Sequence, residues 1–190
     1  MTGSGVLPVA IHKNKLYFLF GKENDLEDSA KGFSDFGGSM DQNETPFETA
    51  MREGAEEITG FLGDAKELEK YIKSHGGVKL YTLENYYTHI FSLDYDQHLP
   101  KYYNMNHRFL WDKMDKKTLN DSKLFEKIEI HWFSPEEMMS RISEFRGFYQ
   151  EMIKILYNSR HEIKRFIQKN SNKTKKKNQK NKRIVYNVGF

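Results

Sequence analysis

Three glutamates, Glu53, Glu56 and Glu57, fall within five residues, and Arg52 adjoins the first. If the segment is helical, offsets of three and four residues bring their side chains onto one patch. Like charges about 4 Å apart repel by roughly 1 to 4 kcal/mol, depending on the local dielectric. Acids late in a helix also meet the unfavourable end of its dipole. A patch built against these costs breaks a local rule, as functional sites often do. Its natural relief is a divalent cation held by carboxylates and completed by water or phosphate oxygens. A solvated helical face is the plainer reading of the three glutamates alone. The wider register favours chemistry: Gly38, five residues, Glu44, seven residues, Arg52-Glu53, two residues, Glu56-Glu57.

The elements that must position this patch carry their own signals. Thr45 as N-cap, Pro46 at the first helical position and Glu48 at the third form a capping box. The helix is expected to run to about Thr59 and to stop at Gly60. Phe47, Met51, Gly54 and Ile58 lie within about 40° of Phe47 on the helical wheel and make the core seam, with the carboxylates opposite. Before the helix, "GFSDFGGSM" sets Gly37 and Gly38 where the backbone must turn or admit something close. Farther upstream, "GVLPVAIH" and "KLYFLFGKE" read as two strands joined tightly at Lys13-Asn14-Lys15. A second short helix is expected from Asp64 to Ser74, and residues 76–96 as two or three strands in the middle of the sheet. "HLPKYYNMNHRFLWDKM" resists assignment, whereas "FEKIEIHWFS" alternates like a strand with one buried face. Ser134-Pro135-Glu136-Glu137 caps a helix, and near-helical apolar spacing continues to Gln168 with a break at Arg146-Gly147.

The chain has 190 residues, enough for one domain with a sizeable core. It has no cysteine, so any metal site falls to carboxylates and histidines, which favours hard cations. No apolar run is long enough to span a membrane and no secretory signal opens the chain, so a soluble, cytoplasmic protein is expected, without a membrane partner. The net charge of +3 is uneven: ten Lys and Arg follow Glu162 and no acid does, so the remainder carries −7, that is +3 less those ten. Beyond Asn170 the composition predicts disorder, although "RIVYNVGF" could dock as a short strand. Such a basic tail suits a polyanion such as RNA, or simply solubilises the chain.

The spacing resembles the Nudix box, the signature of hydrolases that cleave a nucleoside diphosphate linked to another group. Gly38, Glu44, Arg52, Glu53, Glu56 and Glu57 match it, with the usual preceding glycine at Gly37. Two departures appear: Gly54 stands where a bulky apolar residue is usual, and one extra residue separates Glu57 from Gly60. The ending "EIHWFSPEEM" also looks like the common Nudix ending. The resemblance implies an α/β fold, the Nudix α/β/α sandwich with a central mixed sheet, here over residues 1–168 with its C-terminal helix, followed by a basic tail at 169–190.

The same resemblance implies that Glu53, Glu56 and Glu57, with Glu44 in support of the loop or of a second ion, hold Mg²⁺ or Mn²⁺. It implies that Arg52 orients Glu53 and that Gly37 and Gly38 let backbone groups approach the phosphates. The catalytic base would be a box glutamate or a later carboxylate, Glu126 or Glu129, which a regular strand would point to opposite faces. His107 and His131 are weaker candidates. Tyr86, Tyr87, Tyr102, Tyr103 and Trp111 offer stacking surfaces that, with the tail, make capped RNA a candidate substrate. The Lys- and Asn-rich, Arg-poor composition suits an AT-rich genome, and viral Nudix proteins include decapping enzymes. Small metabolites such as dinucleoside polyphosphates, nucleotide sugars or diphosphoinositol phosphates are the alternative substrates. A non-catalytic RNA- or protein-binding module is the other alternative, against which the complete carboxylate set argues.

Overall fold

A computed structural model describes residues 2–24, 31–115, 117–118 and 126–170. The expected C-terminal strand, and the tail beyond Asn170, lie outside the described residues. Strands β1 (Gly3–His12) and β2 (Lys15–Glu23) form the anticipated hairpin, with His12 opposite Lys15. Lys13 and Asn14 both adopt positive φ, 47° and 63°, the twist that a two-residue hairpin turn requires. β3 (Phe33–Ser34) and β4 (Phe36–Ser39) follow, then helices α1 (Pro46–Glu57) and α2 (Ala65–Ser74). β5 (Val78–Leu83) and β6 (Tyr86–Ser92) precede α3 (Leu99–Lys113), β7 (Lys127–Phe133) and α4 (Pro135–Ser140). The described chain ends in α5 (Tyr149–Asn158) and α6 (160–170).

The seven strands form one mixed sheet. β1 pairs with β6 in parallel and with β2 and β4 antiparallel, while β2 also takes β3 and β7. Residues 76–96 supply two strands rather than the centre of the sheet: β6 lies inside it, and β5 pairs only with β6 among the described strands. Alternation along the strands sorts side chains into two cores. Leu7, Val9, Phe18, Phe20 and Phe133 pack under α4, α5 and α6 through Met138, Tyr149, Met152, Leu156 and Ile163. Val6, Ala10, Leu19, Phe91, Ile130 and Trp132 pack under α1 and α2 through Met51, Ile58, Leu68 and Ile72, with Leu99 and Tyr103 of α3 alongside. Helices on both faces of a mixed sheet make the α/β/α sandwich. The unassigned stretch is α3; its Tyr103 hydroxyl donates to the carbonyls of Glu57 and Lys127, 3.2 Å each, and so ties α1 to β7.

Candidate active site

The glycine pair is not in a turn. Gly37 and Gly38 sit in β4, opposite Gly5 and Ser4 of β1. A Cβ on Gly37 would stand 2.3 Å from the Gly5 Cα, and one on Gly38 would stand 2.6 Å from the Glu53 carboxyl carbon. Both glycines therefore answer a close approach, of strand to strand and of helix to strand. The capping box starts α1 as expected: Glu48 N–H donates to the Thr45 hydroxyl (3.3 Å), and Thr45 N–H to the Glu48 carboxylate (2.8 Å). The helix ends at Glu57 because Thr59 and Gly60 are both left-handed, φ 55° and 69°, and Gly60 N–H returns to the Ala55 carbonyl. The additional residue is absorbed after the last carboxylate. Gly54 is a packing necessity, since a Cβ there would meet Val6 Cγ2 at 2.5 Å.

Arg52 lies at the centre of the exposed half of the site. Its Nε and Nη2 donate to the two oxygens of Glu44 at 2.8 and 2.9 Å, a two-pronged pair, and Nη1 donates to Glu53 at 2.7 Å. The Thr49 hydroxyl also donates to Glu44, at 2.7 Å. Arg52, followed by Thr49, holds the Glu44 carboxyl down to about 2, and the guanidinium is raised in turn. Glu44 is thus anchored as a brace for the loop.

Glu57 differs from the sequence expectation. It points inward, only 4% exposed, and accepts the Gly37 N–H at 2.6 Å. Its other oxygen stands 3.3 Å from Lys127 Nζ, and Lys127 is fully buried. Lys127 also donates to Glu23 and, at 3.1 Å, to the Ser34 hydroxyl, while Arg146 donates to Glu23 at 2.9 Å. Next to this group Asp35, also fully buried, accepts from Tyr86 (2.7 Å) and Thr88 (2.9 Å).

The electrostatics follow from one ammonium serving several carboxyls. Burial raises the Glu57 pKa; Lys127 opposes this only in part, because Glu23, Glu126 and Asp35 add negative charge around it. Burial pushes the Lys127 ammonium down, but Glu57 and Glu23 overcome that and leave it raised. Asp35 is pushed up to about 6, because burial outweighs its hydrogen bonds.

The remaining candidates scatter. Glu56 is exposed and lines a shallow groove with Arg52, Ala55 and Asp64. Glu126 acts electrostatically on Glu57, whereas Glu129 lines a separate cavity with His107 and Trp111. His107 stacks on Trp111 with ring centroids 5.8 Å apart, and His131 packs edge-on to Phe133 at 4.6 Å. Burial lowers the pKa of both histidines. Lys127, Glu23, Asp35 and Arg146 escape a motif reading. One signal was available for Lys127: Gly21 interrupts an apolar strand, and a Cβ there would meet the Lys127 stem at 2.8 Å.

Among the described residues no three His, Cys, Asp or Glu side chains are assembled as metal ligands. The donor chemistry nevertheless fits a hard cation. Glu53 and Glu57, one helical turn apart, both bring carboxylates to the Gly37–Gly38 strand, and Glu56 shares their turn.

No protein-family model and no curated protein sequence matches the chain. In structure it is similar to Nudix hydrolases. The M. smegmatis Nudix hydrolase RenU is 12% identical, with 86% of this chain and 88% of that chain covered and a TM-score of 0.48. A C. elegans Ap4A hydrolase in a binary complex is 13% identical over 85% and 98%, with a TM-score of 0.48. A Nitrosomonas europaea Nudix hydrolase is 16% identical over 85% and 72%, with a TM-score of 0.43.

Proposed function

We propose that the chain is a Nudix-type pyrophosphohydrolase, dependent on Mg²⁺ or Mn²⁺, that cleaves a nucleoside diphosphate linked to another group. The observation that carries this reading is the meeting of Glu53 and Glu57 at the Gly37–Gly38 strand, braced by Arg52 and Glu44. Glu53, Glu57 and Glu56 would hold the cation, which when bound neutralises the diphosphate and makes phosphorus more open to water. Arg52 fixes the Glu53 carboxylate, and Glu44 fixes Arg52. Lys127 counters the charge of Glu57 from the protein side. The absence of side chains at Gly37 and Gly38 lets the Gly5 backbone and the Glu53 carboxylate close on this strand, which gathers the carboxylates at one place. Glu126, which shares the electrostatic field of Glu57, is better placed as the base for water than Glu129.

Within this class capped RNA is the substrate that the ten basic residues after Glu162 favour. The test is a hydrolysis panel of cap-labelled RNA, free cap analogue, nucleotide sugars and dinucleoside polyphosphates with Mg²⁺ or Mn²⁺. Glu53→Gln and Glu57→Gln should each abolish turnover. Activity on no substrate, or activity that survives both substitutions, refutes the assignment. For the tail, equal RNA affinity and equal salt slope in the full chain and one ending at Gln168 would rule out an RNA contact.

A further inference from the structure

A cavity of about 570 Å³ opens directly beside the glycine strand, bounded by Gly37, Gly38, Glu84, Tyr86, Arg146 and Phe148. Its size falls within the range of small-ligand sites. Phe148 is 46% exposed there, although a ring of that size is ordinarily buried. Its orientation is fixed: the Arg146 guanidinium lies 4.9 Å from the ring centroid, and the Tyr86 ring meets it edge-on at 5.4 Å. Arg146 is itself held by Glu23, and Tyr86 by Asp35, so the aromatic wall is attached to the buried charge network behind Glu57. The polar side of the cavity includes Thr2, Ser39, Glu84, Asn85 and Glu151. Glu84 occupies the β5–β6 turn at φ 50°, where the tight hairpin fixes its backbone.

We infer that this cavity is a nucleobase subsite, that Phe148 is its stacking surface, and that it selects guanine through Glu84. The inference rests on the proposed pyrophosphohydrolase reading for its placement, since the same two glycines border both the cavity and the carboxylates. An exposed, braced ring offers a flat apolar face to any base. Selection comes from the rim. A carboxylate only accepts hydrogen bonds, and guanine presents two adjacent donors on one edge, its ring N1–H and its exocyclic amine. Adenine and cytosine place an acceptor beside their amine, and uracil flanks its single N–H with acceptors. Each of these would set an acceptor against the carboxylate.

Binding can be measured without turnover. The full chain in EDTA would be titrated calorimetrically with guanosine, adenosine and uridine 5′-diphosphates, alongside Phe148→Ala and Glu84→Gln. The guanosine ligand should bind about tenfold more tightly than the uridine ligand. Phe148→Ala should weaken guanosine diphosphate by about tenfold, in line with stacking losses. Glu84→Gln should erase the preference for guanine over adenine, weakening guanosine diphosphate and tightening adenosine diphosphate, because the amide offers adenine's ring acceptor a donor in place of the carboxylate. Both side chains are exposed, and circular dichroism of each variant would establish that the fold is kept. No saturable binding by the wild type, or unchanged affinities and preference in both variants, overturns the subsite. The hydrolysis panel decides the enzyme reading separately. Turnover lost in Glu53→Gln with metal-free binding unaffected by Phe148→Ala would defeat only the subsite. Turnover indifferent to Glu53→Gln and Glu57→Gln, with binding dependent on Phe148, would defeat only the enzyme.

Discussion

Replacing Lys127 with methionine tests whether the buried ammonium is what permits Glu57 to sit inside the protein. Methionine keeps much of the apolar stem that runs past Gly21, so packing changes little and the perturbation is mainly the loss of charge. Glu23 would keep its 2.9 Å contact with Arg146. Glu57 would keep the Gly37 N–H, 2.6 Å away, at 4% exposure. Removing one partner of a buried ion pair costs about 3 to 5 kcal/mol, since the other charge is left uncompensated. At about 2 to 4 °C per kcal/mol for a domain of this size, the midpoint should fall by roughly 6 to 20 °C. Urea denaturation and calorimetry at pH 7 in EDTA would measure the loss. The double variant Lys127→Met with Glu57→Gln should be more stable than Lys127→Met alone, because the stranded charge is gone; contacting pairs couple by about 0.5 to 3 kcal/mol. A single-variant loss below about 1 kcal/mol, or additive effects of the two substitutions, would refute this account.

Gly54→Ala should destabilise by about 0.5 to 2 kcal/mol despite the better helix former, since overpacking costs about 1 to 3 and helix propensity returns about 0.5 to 1. The clash is with Val6 Cγ2, so adding Val6→Ala should make the alanine at position 54 less costly in urea titrations. Asp35, with a folded pKa of about 6 against 3.8 unfolded, binds more protons when folded, so it lowers stability as pH rises from about 4 to 6. Asp35→Asn should remove about 3 kcal/mol of that decline, read as the difference between wild-type and variant stabilities at pH 4 and pH 7. Arg52→Lys keeps a positive charge but loses the fork on Glu44, so turnover should fall about 10- to 100-fold, as for other groups that orient metal ligands. The fold should persist by circular dichroism; an unchanged turnover would show that the fork has no positioning role.

The local signals were legible because they depend on neighbours in the chain. The Thr45-Pro46-Glu48 box, the strand alternation of β1, β2 and β7 and the spacing of Glu53, Glu56 and Glu57 are properties of single elements. The resemblance to a known signature rests on that same local register. Tertiary structure decided which way the carboxylates are used. Helical geometry alone sets Glu56 opposite the seam and Glu57 on its flank, about 90° from the seam's centre; the close approach of α1 to β4 then draws Glu57 under Gly37 while Glu56 stays in solvent. Lys127 is 70 residues beyond Glu57 and meets it only because β7 pairs with β2, in a register that shifts near Glu23. No periodicity encodes such a meeting, since it depends on strand order and close backbone approach. The sequence by itself determined which residue types could hold a cation and in what local register; the packing of β4, β7 and α1 determined which of their charges are buried, paired and poised, because desolvation and partnership exist only once distant segments touch.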